Sequence, residues 1–180
     1  DTLARRRQLS AAETLRHARV LSGALATLHE AGIVHGGLDP RNVVYPADTL
    51  ADGGPMLDNV GLLATYRQAF DPVDYLNPRY AAPEYFDSQY GELDEATDVY
   101  GLGMVLYRAA TGHPPFQGTF EDIRVQVLND HPPAPSTVSD GLPETFDEIL
   151  ARATAKQKLT RYESAERLHR DLERVSTTVE

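Results

Sequence analysis

Two short stretches hold the polar side chains that could do chemistry. The first is Ile33-Val34-His35-Gly36-Gly37-Leu38-Asp39-Pro40-Arg41-Asn42-Val43-Val44-Tyr45: an apolar run, a polar turn with two glycines and a proline, then a second apolar run. The second is Met56-Leu57-Asp58-Asn59-Val60-Gly61. A carboxylate in such a loop can take a proton from a hydroxyl, and Asp39 and Asp58 are the candidates. Asn42 and Asn59 add neutral amide side chains. Gly36 and Gly37 have no side chain to offer.

Other chemistries lack their residues. There is no cysteine, which excludes disulfides and Cys-based metal sites. No Walker A, H-E-x-x-H or G-x-S-x-G pattern occurs. The six histidines are scattered. Gly101-x-Gly103 lies inside an apolar run, so close helix packing is its expected purpose rather than phosphate binding. The net charge of −10 argues against a nucleic-acid surface, which needs clustered Lys and Arg. Lys156 and Lys158 are the only lysines. An acidic, arginine-using composition fits either a salt-adapted surface or a high-GC genome. No apolar run is long enough to cross a bilayer, no signal peptide is read at Asp1–Gln8, and a cytoplasmic setting is expected.

The elements that must position these loops are mainly helical. At 180 residues, 41% hydrophobic and 24% charged, one domain with a full core is expected over 1–180. Thr2–Gln8 is short and basic, with one or two helical turns predicted. Ser10 and Glu13 form a capping box that opens a helix over 10–31, with Leu15, Ala18, Leu21, Leu25 and Leu28 on one face and Gly32 after its end. Val43–Tyr45 and Met56–Leu57 read as two short strands joined by the turn-rich Pro46–Pro55. Gly61–Tyr80 has no sustained period and reads as a long packed loop. A helix over 97–111, opened by Thr97 or Asp98 and closed by Gly112, is apolar nearly all round and should be central and buried. Helices over Glu121–Asn129, Pro143–Ala155 and Tyr162–Val175 complete the region 119–177.

This order of elements resembles the C-terminal lobe of a protein kinase of the serine/threonine type. His35, Leu38, Pro40 and Asn42 keep the frame of H-R-D-L-x-x-x-N over 33–45. Asn59-Val60-Gly61, in 56–61, stands at the place of D-F-G. Tyr80-Ala81-Ala82-Pro83-Glu84 resembles the close of an activation segment, here 61–84. Thr97-Asp98-Val99-Tyr100-Gly101-Leu102-Gly103 resembles the start of the central helix, and Arg161 the arginine before the last helix. The expected fold is therefore a mainly α kinase-like C-lobe: a helical bundle around a central buried helix, with a small β-hairpin carrying the degenerate loops. The glycine-rich loop, V-A-I-K strand and partner glutamate helix of the small N-lobe are absent from this chain.

The resemblance implies roles. Asp98 should accept hydrogen bonds from the backbone around His35, and Glu84 should pair with Arg161 in a largely buried bridge. Val44 should lie under adenine, with Asn42 as a weak nucleotide and metal ligand. The catalytic positions are degenerate. Gly37 replaces the base and Asn59 the magnesium-binding aspartate. Asp39 replaces a cation and should add repulsion toward phosphate. Gly36 removes the arginine that would read a phosphate on Thr65, Tyr66 or Tyr75. The resemblance thus implies a pseudokinase that acts by binding protein partners, with no cofactor expected. ATP and magnesium enter only if an N-lobe exists and Asp39 or Asp58 rescues the site. The alternatives are a divergent serine/threonine kinase whose N-lobe lies outside this chain, and a self-associating structural module.

Overall fold

The structure, a computed structural model, describes residues 2–46, 54–62, 70 and 76–178. A 3₁₀ turn at Leu3–Arg5 leads into helix α1, Ala11–Glu30. The Ser10 hydroxyl accepts from the Glu13 amide and the Glu13 carboxylate accepts from the Ser10 amide, closing the capping box. Strands β1, Val43–Val44, and β2, Met56–Leu57, pair antiparallel with Val43 opposite Leu57. The strand predicted to Tyr45 stops at Val44. Tyr45 turns inward, and its hydroxyl lies 2.7 Å from Nε2 of the buried His17.

Helix α2, Glu95–Thr111, is the central helix, and it starts earlier than Thr97 or Asp98. Asp94 is the cap: its side chain accepts from the Ala96 amide, and Thr97 Oγ1 accepts from the Asp94 amide. Polar residues crowd this start, so several could cap; geometry selects the one preceding the first turn. That leaves Asp98 inside the first turn with its carboxylate free to face inward. From Thr97 to Thr111 every residue of α2 is buried except Arg108. Gly103 is where the end of another helix approaches it: a Cβ there would stand 2.8 Å from Thr154 Cγ2 and 3.1 Å from Ala153 Cβ. Gly101 faces Leu38 of the polar loop, whose Cβ would lie 3.1 Å from an added methyl. Both glycines serve close packing, as their place in an apolar helix suggests.

Helices α3, Phe120–Asn129, α4, Glu144–Ala153, and α5, Ala165–Thr178, complete the bundle. The first begins one residue before its predicted start because Thr119 caps it with Asp122. The last two are shorter at their N-termini than predicted, since Pro143 is the cap of α4 and Arg161 is extended ahead of α5. α1 packs along α5 and against α2; α2 packs against α4 and α5. The core they share is built from Leu21, Leu25, Leu102, Met104, Leu106, Phe146, Leu168 and Leu172, all buried. Among the described residues no helix is long and apolar enough to cross a membrane. Most of the loop predicted at Pro46–Pro55 and half of the segment 61–84, including Thr65, Tyr66 and Tyr75, lie outside the described residues.

Candidate functional site

The polar loop 33–42 is held from below by one carboxylate. Asp98 Oδ2 accepts from the His35 amide at 2.7 Å, and Oδ1 accepts from the Gly36 amide at 2.8 Å. His29, in the last turn of α1, adds Nε2 to Oδ2 at 3.0 Å. Asp98 is 2% exposed, so it needs these three donors to be tolerated. His29 was not singled out in the sequence. Its signal was slight: a basic residue at a helix C-terminus, which ordinarily serves the helix dipole. Gly36 has φ +79°, a left-handed conformation that costs other residues about 1–2 kcal/mol. The Tyr85 hydroxyl donates to its carbonyl, tying the 3₁₀ turn Pro83–Tyr85 to the loop.

His35 itself is fully buried and its Nε2 donates to the Asp58 carbonyl at 3.0 Å. A carbonyl can only accept, so this bond fixes the proton on Nε2. Burial pushes the His35 pKa down, and the imidazole stays neutral at physiological pH. It links the two chemical loops as a structural residue.

Asp39 is 4% exposed and is fully engaged. Its Oδ1 accepts from the Arg41 amide at 2.6 Å, capping the turn Pro40–Asn42, and its Oδ2 accepts from Arg41 Nε at 2.7 Å and from Nη2. Arg41 is thus a close cationic partner of the carboxylate expected to add repulsion toward phosphate. The same bond raises the Arg41 pKa. Arg41 was missed because a loop arginine two residues from an aspartate reads as an ordinary solvated charge; the intervening proline, which bends the chain back, was the available signal.

Asn42 and Asn59 are brought together. Asn59 Nδ2 donates to Asn42 Oδ1 at 3.0 Å, and Asn42 Nδ2 donates to the Gly37 carbonyl at 2.8 Å. An amide chain thus runs from Asn59 through Asn42 to the Gly37 carbonyl. Asp58 lies just beyond β2, which ends at Leu57. Asn59 is left-handed, φ +59°, and the Asp58 carboxylate accepts the Asn59 amide at 2.8 Å. Asp58 is exposed. A cavity of about 130 Å³, lined by Gly37, Asp39, Asn42, Asn59, Tyr80 and Tyr85 among others, lies between this loop and the segment that precedes α2. Burial pushes the Tyr80 hydroxyl up to about 12, so it stays protonated there. Val44 is half-buried and pairs with Met56 on one side and bridges Thr2 on the other.

The second anchor is at the other end of the segment. Arg161 Nη1 and Nη2 donate to Glu84 at 2.7 and 2.8 Å. The same guanidinium donates to the carbonyls of Ala155, Ala96 and Lys156, so all five N–H groups are used. Glu84 Oε1 also accepts from Thr97 Oγ1 at 2.8 Å. Both charges are buried, at 2% and 7% exposed.

These residues do not fit a magnesium site. The two candidate ligands are neutral amides bonded to each other, and among the described residues no group of three His, Asp or Glu is placed to hold a metal.

A buried central helix, a two-stranded hairpin and a carboxylate-anchored loop define the class: the large lobe of a kinase fold. The sequence matches the family described as protein kinase domain over residues 1–171, and the chain belongs to that family. It is 35% identical over 162 residues to serine/threonine-protein kinase PknL of Mycobacterium tuberculosis (strain CDC 1551 / Oshkosh), covering 88% of this chain and 39% of that protein. It is 34% identical to serine/threonine-protein kinase PknE of M. tuberculosis (strain ATCC 25177 / H37Ra), covering 80% of this chain and 25% of that protein. It is 30% identical to serine/threonine-protein kinase PknB of the same strain, covering 84% of this chain and 24% of that protein. The chain therefore spans about two fifths or less of the curated relatives it matches.

Proposed function

We propose that this chain is the C-lobe of a pseudokinase, a regulatory module that binds protein partners in the cytoplasm without transferring phosphate. The observation that carries this reading is the amide chain Asn59–Asn42–Gly37. Where a phosphotransferase needs an anionic metal ligand and a proton acceptor, this chain presents amides that satisfy each other. General-base loss alone lowers rates by about 10²–10⁴, and loss of the metal-binding anion removes neutralisation of transition-state charge. Asp39 gives no rescue while Arg41 holds both its oxygens. The protein works without a cofactor in this reading. Its partner surfaces are the edge of the cavity near Asn77 and Tyr80, and α3, where Phe120 and Val125 are 37% and 53% exposed. Nucleic acid is not a partner, and the acidic surface keeps the lobe hydrated.

A second reading is favoured by one feature, the exposed Asp58 carboxylate beside Asn59. In that reading the parent protein is a divergent, ATP-dependent serine/threonine kinase, as its relatives' names suggest, and Asp58 supplies the missing anion. Thermal melting with ATP, with and without magnesium, separates the two when run on this chain and on a longer parent polypeptide carrying an N-lobe. The pseudokinase reading expects no magnesium-dependent shift and no phosphate on a test peptide, and expects a magnesium-dependent shift in the parent once Gly37→Asp and Asn59→Asp are installed together. Peptide phosphorylation by the parent that is abolished by Asp58→Asn would overturn it.

A further inference from the structure

Charge is segregated along this chain. Residues 2–20 hold five arginines and one carboxylate, Glu13, which is spent in the capping box. Residues 130–150 hold five carboxylates and neither Arg nor Lys. The fold brings these two segments to one end of the molecule. Arg108 of α2 donates to the carbonyls of Ala4, Arg6 and Arg7, at 3.5, 2.7 and 3.4 Å, so the backbone of the arginine run is wrapped around it. The preceding residue, Tyr107, lines a groove of about 270 Å³ together with Pro132, Pro133 and Leu150, with Asp147 and Glu148 also on its wall. Gln8 joins the two: its side-chain amide donates to the Ala110 carbonyl at 2.9 Å and to Ser139 Oγ at 3.0 Å. Next to Ser139, Val138 is 47% exposed.

We infer that this end is a two-fold contact between copies of the chain, in which the arginine strip of each copy lies over the acid-walled groove of the other. Three observations carry this. Arg5 and Arg7 are exposed on a backbone held rigid by Arg108, and among the described residues they join no ion pair. Glu144 and Glu148, four residues apart on α4 and so on one face, are exposed and likewise join none. The strip and the groove adjoin through Gln8 and Ser139, which is the arrangement a self-complementary, isologous surface requires. Apolar groove and exposed Val138 supply buried area, while the charges fix register and suppress other pairings. The contact uses no residue of the loop 33–42 and does not depend on whether phosphate is transferred.

Sedimentation velocity of the intact chain over a range of concentrations, at low and high salt, tests it. The expected result is a concentration-dependent dimer at low salt that shifts toward monomer as ions screen the pairs. Arg7→Glu and Glu148→Arg should each raise the dimer dissociation constant by roughly tenfold or more. Both are surface changes outside the core, so circular dichroism should show folded protein. Combining them on the same chain should restore association, since each copy then offers the reversed charges to the other. A monomer at every concentration at low salt overturns the inference. So does a dimer untouched by either reversal, or one sensitive to only one of them, which would mark a contact other than this exchange.

Discussion

The anchors of the polar loop and the chemical positions on it differ in how their polar atoms are satisfied. Asp98, Glu84 and Arg161 are buried, charged and bonded to backbone or to each other with every donor used. Asn42 and Asn59 are neutral and closer to solvent; Asn59 donates one bond to Asn42, which donates one to the Gly37 carbonyl. The first set fixes where the loop sits; the second set decides what the loop could do. A fold can keep the first while the second drifts, because burying an unpaired charge is costly and exchanging one exposed amide for another group is not.

Four experiments would break or sharpen that contrast. The largest effect is expected at the buried bridge. Arg161→Met should leave Glu84 buried with only Thr97 and a Lys158 ammonium 3.9 Å away, and should cost about 3–5 kcal/mol. Thermal melting should fall by roughly 10 °C. Changing Glu84→Gln together with Arg161→Met should cost less than the two single changes summed; strict additivity would mean the pair is not coupled. Next comes Asp98→Asn, expected to cost about 1–3 kcal/mol because one of its three N–H partners meets an amide N–H₂ instead of an acceptor. Amide exchange at His35 and Gly36 should speed up in this variant; unchanged exchange would show that the loop is held by something else.

The third is a pH series. Burial lowers the pKa of His35 and His17 below the ordinary 6.5. The unfolded chain then binds more protons than the folded one just below that value, so stability should fall as pH drops through about 6.5. Lys156 is lowered to about 8 by burial, its ammonium lying over the Phe116 and Tyr100 rings. It contributes a rise in stability between pH 8 and the ordinary lysine value of 10.5, and Lys156→Met should remove that slope. Smallest is Asn59→Ala, which removes one exposed side-chain bond and should change stability by under about 1 kcal/mol. A loss comparable to that of Arg161→Met would mean that the amide chain holds the fold and is not the free end of it.

Much of this was legible in the sequence because it rests on periodicity and on cap residues. The capping box at Ser10, the all-round apolar run of α2 and the glycine stops at Gly32 and Gly112 are local signals, and the helices follow them. The tight packing at Gly101 and Gly103 could be read from two glycines in an apolar helix. What was not legible depends on through-space partners. Arg41 on Asp39, His29 under Asp98 and Tyr85 on the Gly36 carbonyl join residues whose own types gave no sign of the pairing. The helix starts slipped by a few residues for a related reason: near Asp94 and Thr119 several neighbours could cap, and only the backbone turn decides between them.

Gly36 and Gly37 stand next to each other, yet a reversal of their history would meet them differently. Gly36 sits at φ +79°, whereas Gly37 is not among the glycines with positive φ. An aspartate at position 37 would meet no left-handed strain, and Gly37 lines a cavity. An arginine at position 36 would have to enter a conformation that L side chains resist. In the pseudokinase reading proposed above, an acidic side chain would be easier to place at position 37 than a basic one at position 36. Under that reading, a base set at position 37 would arrive without a phosphate-reading cation at position 36, and so without that means of switching it on and off.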